Sequence, residues 1–168
     1  MLVAQQKQQE NIAEYVLYLF QIEDLIRSLN FDIDRIMESV VRPSLPDRSV
    51  EGQYRKWYTD VMQEMKRSNL IKKGHLDRVM EAMKELVFLH NTLLSVKDEN
   101  KYKDLCKNST SSIEEFRGKA SMKNHHDVEI LIHAMHMKLQ FRLRKKEITQ
   151  ETDEALDTMR IQLAFLVR

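Results

Sequence analysis

The stretch Ile12-Ala13-Glu14-Tyr15-Val16-Leu17-Tyr18-Leu19-Phe20-Gln21-Ile22-Glu23-Asp24-Leu25-Ile26-Arg27-Ser28-Leu29 decides the fold. Its apolar side chains Ile12, Tyr15, Val16, Leu19, Ile22, Ile26 and Leu29 recur at spacings of three and four, the period that lines one face of an α-helix. A first helix is expected over residues 5–29, ending at Asn30 or Phe31. Working outward, Ile33, Ile36, Met37, Val40 and Val41 predict a shorter helix that stops before Pro43, because a residue preceding proline resists the α conformation. Residues 43–47 hold both prolines and read as a loop. Ser49 with Gln53 offers a start signal for a third helix over 49–69, whose stripe is Tyr54, Trp57, Tyr58, Val61, Met62 and Met65.

The same period returns after Gly74. Leu76, Val79, Met80, Met83, Leu86, Val87, His90, Leu93 and Leu94 predict a fourth helix over 73–96. Residues 98–119 keep phase only through Tyr102, Leu105, Ile113 and Phe116 across the polar run at 108–112, so either one poor helix or two short ones fits. Asn124, with Asp127 three residues on, is the expected cap of a sixth helix striped by Val128, Leu131, Ile132, Met135, Leu139 and Leu143. Thr149, followed by Glu151, Asp153 and Glu154, suits the positive end of a last helix carrying Ala155, Leu156, Met159, Leu163 and Leu166. No strand pattern, repeat or low-complexity segment interrupts this series. The expected fold is all-α, a single-domain antiparallel bundle of about seven helices over residues 1–168.

Composition agrees and removes several function classes. The chain of 168 residues is 42% hydrophobic and 32% charged, enough for one core and a charged surface. It has 3 glycines and 2 prolines, where average usage would give about 12 and about 8. Glycine-rich phosphate loops have no room to form. The single cysteine, Cys106, makes no intramolecular disulfide, the first ten residues lack a leader pattern, and no long apolar run occurs. Cytoplasmic location is the expectation, with no membrane partner. Net charge is +1, but residues 1–48 carry 5 basic against 8 acidic side chains and residues 119–146 carry 7 against 2. Acidic and basic faces are therefore expected to meet across the fold.

Residues 11–27 (NIAEYVLYLFQIEDLIR) and 143–152 (LRKKEITQET) resemble a bacterial domain-of-unknown-function family, number 4924. The resemblance runs over nearly the whole chain and implies an all-helical cytoplasmic domain. It implies no catalytic or binding residue, since no activity attaches to the family and its motifs are helical segments.

Chemistry-bearing residues fall into two groups. On the sixth helix, His126, Glu129, His133 and His136 lie within about 80° of one another at 100° per residue. Two imidazoles and a carboxylate at such spacing are donors for a divalent metal, though one helix seldom completes a coordination sphere. The favoured reading of these four is a solvated face between apolar stripes. Glu23 and His90 are the other pair, because each sits on the apolar face of its helix and needs a partner. Arg27, one turn after Glu23, is one option. A contact between Glu23 and His90 across the bundle is the other; it would raise the histidine pKa and form an acid/base device or, more often, a register-fixing pair.

The remaining features favour plain readings. The run Arg142, Arg144, Lys145 and Lys146 suits a helix C-terminus and lacks the interleaved aromatics of a nucleic-acid surface, so no nucleic-acid partner is expected. The lysines flanking Cys106 favour a slightly lowered thiol pKa in a half-buried cysteine. Met62, Met65, Met80, Met83, Met135 and Met159 keep helical phase and read as core filling. Residues 161–167 are apolar almost all round, which suggests central burial or a second subunit. The favoured function is a non-enzymatic interaction module, acting as a homodimer or on a protein partner, with no cofactor expected. The alternative is a metal- or acid/base-dependent hydrolase or a small-molecule binder using the His/Glu face.

Overall fold

The computed structural model describes residues 3–168, and the first two residues of the stretch read for a leader pattern lie outside them. The expected first helix is two: α1 (Val3–Glu10) and α2 (Ile12–Ser28). Asn11 breaks them by taking extended backbone and accepting a hydrogen bond from the Glu14 N–H at 3.0 Å, the role short polar side chains play at a helix start. α2 ends where Asn30 and Phe31 both take positive φ. The Phe31 N–H bonds back to the Ile26 carbonyl at 2.9 Å, which offsets part of the steric cost of that conformation.

The next unit runs on through the proline that was expected to stop it. α3 (Ile33–Ile36) widens into a π turn at Met37–Val41 and closes with α4 (Arg42–Ser44), which has Pro43 in its first turn. A proline has no N–H to give and its ring crowds the carbonyl four residues back; a widened turn just before it relieves both problems. A 3₁₀ turn (Arg48–Val50) then leads into α5 (Glu51–Arg67). Asp47, not Ser49, is the capping side chain here, closing the 3₁₀ turn by accepting from the Ser49 N–H at 3.0 Å, and α5 itself starts at Val50 without a side-chain cap.

Four long helices complete the chain: α6 (Asp77–Ser95), α7 (Asn100–Lys119), α8 (Asp127–Leu143) and α9 (Gln150–Leu166). The polar middle of α7 does not break it, because the Ser109 hydroxyl is absorbed by the Leu105 and Cys106 carbonyls and by the Gln162 side chain. α8 starts at His126 in place of Asn124. α9 starts at Thr149 as expected, with the Thr152 N–H donating to its hydroxyl at 3.2 Å. Among the described residues the fold is all-helical with no strand.

The core forms where α2, α6, α8 and α9 meet, with α7 laid along α9 and α5 packed against α3 and the π turn. Val16, Leu19 and Ile26 of α2, Val79 and Leu86 of α6, and Ile130 to Ile132 of α8 are completely buried, each worth roughly 1.5–3 kcal/mol relative to exposure. Three stripe positions, and Ile161 of the apolar last segment, differ from expectation. Met80 and Leu94 on α6, Leu143 and Ile161 are exposed. Residues 161–167 bury only one face, and the polar Gln162 belongs to it. No described helix is long and apolar enough to cross a membrane.

Candidate functional site

Two neighbouring carboxylates on α2 organise the site. Glu23 is completely buried, and both of its oxygens are used. Oε1 accepts the Leu76 N–H at 2.8 Å and Oε2 lies 2.7 Å from His75 Nδ1. α6 has no capping side chain of its own at Leu76, so a carboxylate from α2 faces the positive end of that helix instead. The expected Glu23–His90 contact is not formed, and neither is the Glu23–Arg27 pair. Arg27 serves the loop before α6: its Nε donates to the Leu70 carbonyl at 3.1 Å and its terminal nitrogen to the Gly74 carbonyl. Gly74 sits at φ +93°, and a Cβ there would come 2.9 Å from Leu70 Cδ2. That backbone turn delivers His75 to Glu23.

Asp24, the next residue, faces the other way around α2 and reaches α8. Its Oδ2 is 2.8 Å from His136 Nε2 and 3.4 Å from the Gln140 amide, while Oδ1 contacts Arg27 at 3.4 Å. The hydrogen bond to His136 holds the Asp24 carboxyl below the usual carboxylate range, against the opposing effect of burial. Among the described residues, His136 Nδ1 is buried without a partner. The tautomer protonated at Nε2 therefore fits best, since it leaves a bare lone pair in the buried position and donates to Asp24.

Between these pairs lies a group of rings. Phe20 stacks on His75 with centroids 4.0 Å apart, and His133 and His136 pack on it at 5.2 and 5.3 Å. His133 also meets His75 at 5.9 Å and His125 at 6.3 Å. Burial first, and then the neighbouring imidazoles, push His133 down to about 4. The face of α8 expected to be solvated is therefore packed against α2 and the α6 loop.

The four metal candidates do not act as a set. His126 and Glu129 close a capping box at the start of α8: the His126 N–H donates to Glu129 Oε2 at 2.8 Å, and His126 Nδ1 accepts from the Val128 N–H at 3.1 Å. Among the described residues, no group of three or more His, Cys, Asp or Glu side chains is disposed to hold a metal ion.

His90 belongs to a separate buried seam between α6, α7 and α9. Its Nδ1 shares a 2.7 Å hydrogen bond with the Tyr102 hydroxyl, and its ring meets His126 at 5.2 Å. Burial, then His126, lower its pKa, the reverse of the rise expected from a carboxylate partner. Cys106 continues the seam, with Gln162 Nε2 donating to Sγ at 3.3 Å. Burial raises its thiol pKa, again the reverse of the effect expected from the flanking lysines.

Asp24, His136 and Gln140 open onto a cleft. It has a volume of about 1160 Å³ and lies between α2, the π turn, α5 and the end of α8. Tyr18 of α2 and Tyr54 and Tyr58 of α5 line it together with Leu45 and Phe141. Spacings of four place Tyr54 and Tyr58 on one face of α5 and His136 and Gln140 on one face of α8. Burial pushes the Tyr18 hydroxyl up to about 12 and raises Tyr58 as well, so both remain phenols. The cleft hydroxyls Ser28 and Ser44 donate to backbone carbonyls of Leu25, Val40 and Val41 at 2.8 to 3.0 Å, so no nucleophile–base pair forms with His136.

His75, Asp24, Gln140 and Tyr18 were not singled out from sequence. Asp24 carried a usable signal, since it adjoins Glu23 on the same inner turn of α2; His75 carried none, because its position depends on the turn at Gly74.

The site thus defines a helical protein with an aromatic cleft and a carboxylate–imidazole pair in its wall. The chain belongs to the family described as a domain of unknown function (DUF4924), which matches residues 1–168. No curated protein and no solved structure matches it significantly.

Proposed function

We propose that this protein is a cytoplasmic binding module that takes a small organic molecule in the cleft between α2, α5 and α8. The observation that carries this reading is the cleft itself: about 1160 Å³, walled by Tyr18, Tyr54 and Tyr58, with Asp24, His136 and Gln140 as a compact polar group. Ligand sites have this composition, mostly apolar and aromatic with a few placed polar groups, at about this size. Location in the cytoplasm is supported by the lone Cys106.

The single tryptophan supplies the test. Trp57 lies 6.4 Å from the Tyr18 ring and 5.0 Å from the Tyr58 ring, so its emission responds to events in the cleft wall. A fragment library screened by Trp57 fluorescence and thermal shift is expected to yield ligands that lose affinity in Tyr18→Ala. Hits that bind Tyr18→Ala and the native chain equally, or a silent library, contradict the reading.

Self-association is a second reading, favoured by the outer face of α6. Met80, Phe88 and Leu94 fall within about 120° of one another, and Phe88 is 68% exposed, an unusual display of apolar surface on one helix. Sedimentation equilibrium with the native chain and Phe88→Asp distinguishes it: a dimer abolished by the substitution supports it, and a monomer throughout removes it.

A further inference from the structure

The charge of the cleft's ligand follows from what lines it, on the reading that the cleft is a binding site. Among the described residues that line it, Asp24 is the one carboxylate, and its side chain is still 46% exposed after contacting His136, Gln140 and Arg27. The carboxylate is half-available: His136 and Gln140 both address Oδ2, and Oδ1 is approached by Arg27 at 3.4 Å. Arg27 is committed elsewhere, to the Leu70 and Gly74 carbonyls, and does not line the cleft. The three phenols add electron-rich rings and hydroxyl oxygens without positive charge. Among the described lining residues Arg144 is the one permanently cationic side chain, and it is exposed just beyond the end of α8.

An anionic ligand in this interior would lie beside a carboxylate with one exposed arginine to offset it. A neutral ligand would leave that carboxylate partly desolvated and without a new partner. An ammonium group meets both requirements: N–H donors to the open side of Asp24, and aromatic faces for its positive charge.

We propose that the cleft selects an organic amine, its ammonium against Asp24 and its apolar body along Tyr18, Tyr54 and Tyr58. Three probes of matched size test this: 2-phenylethylamine, 2-phenylethanol and 3-phenylpropionate, titrated against the native chain by Trp57 fluorescence. The amine is expected to bind at least about tenfold more tightly than the other two. Asp24→Asn should weaken the amine at least about tenfold more than it weakens the alcohol. Its urea midpoint is measured alongside, and raised salt, which needs no variant, should weaken the amine and not the alcohol.

Equal affinities for all three probes overturn the amine assignment and leave the cleft reading intact. A preference for the carboxylate that is lost in Arg144→Ala overturns the assignment in favour of an anion site. If none of the three binds, the assignment fails, and the wider library described above decides separately whether the cleft binds anything.

Discussion

Asp24 of α2 and His136 of α8 meet at 2.8 Å in the wall of the cleft, 112 residues apart in the chain. The pair ties the net-acidic stretch 1–48 to the net-basic stretch 119–146, and it does so beside the cleft. Asp24→Ala removes the acceptor for His136 Nε2 and for Gln140. Because the pair is half-exposed, the cost to stability is expected to be about 1 kcal/mol, small enough for the fold to persist. Chemical denaturation checks this, and a loss several times larger contradicts a pair placed at a cleft wall.

Glu23 is a different case, although it is the neighbouring residue. It is completely buried, and its removal strands the Leu76 N–H and the His75 imidazole together. Glu23→Ala is expected to cost about 2–4 kcal/mol, while Glu23→Gln, which keeps an acceptor for the N–H, should cost less than half of that. Urea midpoints of the two variants measure the difference; equal losses would show that the backbone hydrogen bond is not what Glu23 supplies.

Gly74 holds the turn that brings His75 to Glu23. A side chain there meets both the positive φ and the Leu70 methyl, so Gly74→Ala is expected to destabilise by about 1–2 kcal/mol. Wild-type thermal stability in this variant would contradict the tight turn.

Acidification should weaken the fold in a definite window. His133 falls from an ordinary 6.5 to about 4, so between those values the unfolded chain binds a proton that the folded chain refuses, and stability declines as pH drops through the window. His90, also held down by burial, adds to the same trend. Asp24 has the opposite chemistry but the same direction: its lowered pKa gives stability above the ordinary carboxylate range that is lost as pH falls through its folded value. His133→Asn should therefore flatten the decline in urea midpoint between about pH 7 and about pH 5. An unchanged slope would mean that His133 is not desolvated by Phe20 and its neighbouring imidazoles.

Cys106 should be slow toward thiol reagents. Burial raises its pKa and Gln162 covers the sulfur, so little thiolate is available at neutral pH. Labelling that accelerates sharply in denaturant is the expected result, and rapid labelling of the native chain contradicts it.

The helices were legible in the sequence wherever periodicity and capping agreed. Thr149 with its following acids marked the start of α9, and the stripe from Val128 to Met135 marked the buried face of α8. Boundaries failed where two residues competed for one role. Asn11 lies inside the span expected to be one helix, just before its apolar rhythm begins, and its side chain captures an N–H and splits that helix. His126 displaced Asn124 because Glu129, three residues on, completes a reciprocal box that the shorter Asp127 does not make with Asn124. Pro43 was read as a stop, and the π turn before it removed the clash that a stop would have avoided.

The site was legible only in halves. Glu23 and His90 are buried polar residues that need partners, as their positions on apolar faces implied, but the partners proved to be His75 and Tyr102. His75 follows a turn whose direction depends on one glycine, and spacing along a helix says nothing of such a residue. Tyr18, Tyr54 and Tyr58 kept the phase of core side chains; that they also wall a cleft depends on how α5 sits against α2 and the π turn, which no local pattern encodes.

The central claim is that the cleft between α2, α5 and α8 is where this protein binds. Chemical-shift mapping of the isotopically labelled chain during titration with 2-phenylethylamine and with the fragment hits tests it most directly. The account predicts perturbations concentrated at Tyr18, Asp24, Tyr54, Tyr58, His136 and Gln140. Perturbations centred on the exposed face of α6 around Phe88, or spread evenly over the surface, would contradict it.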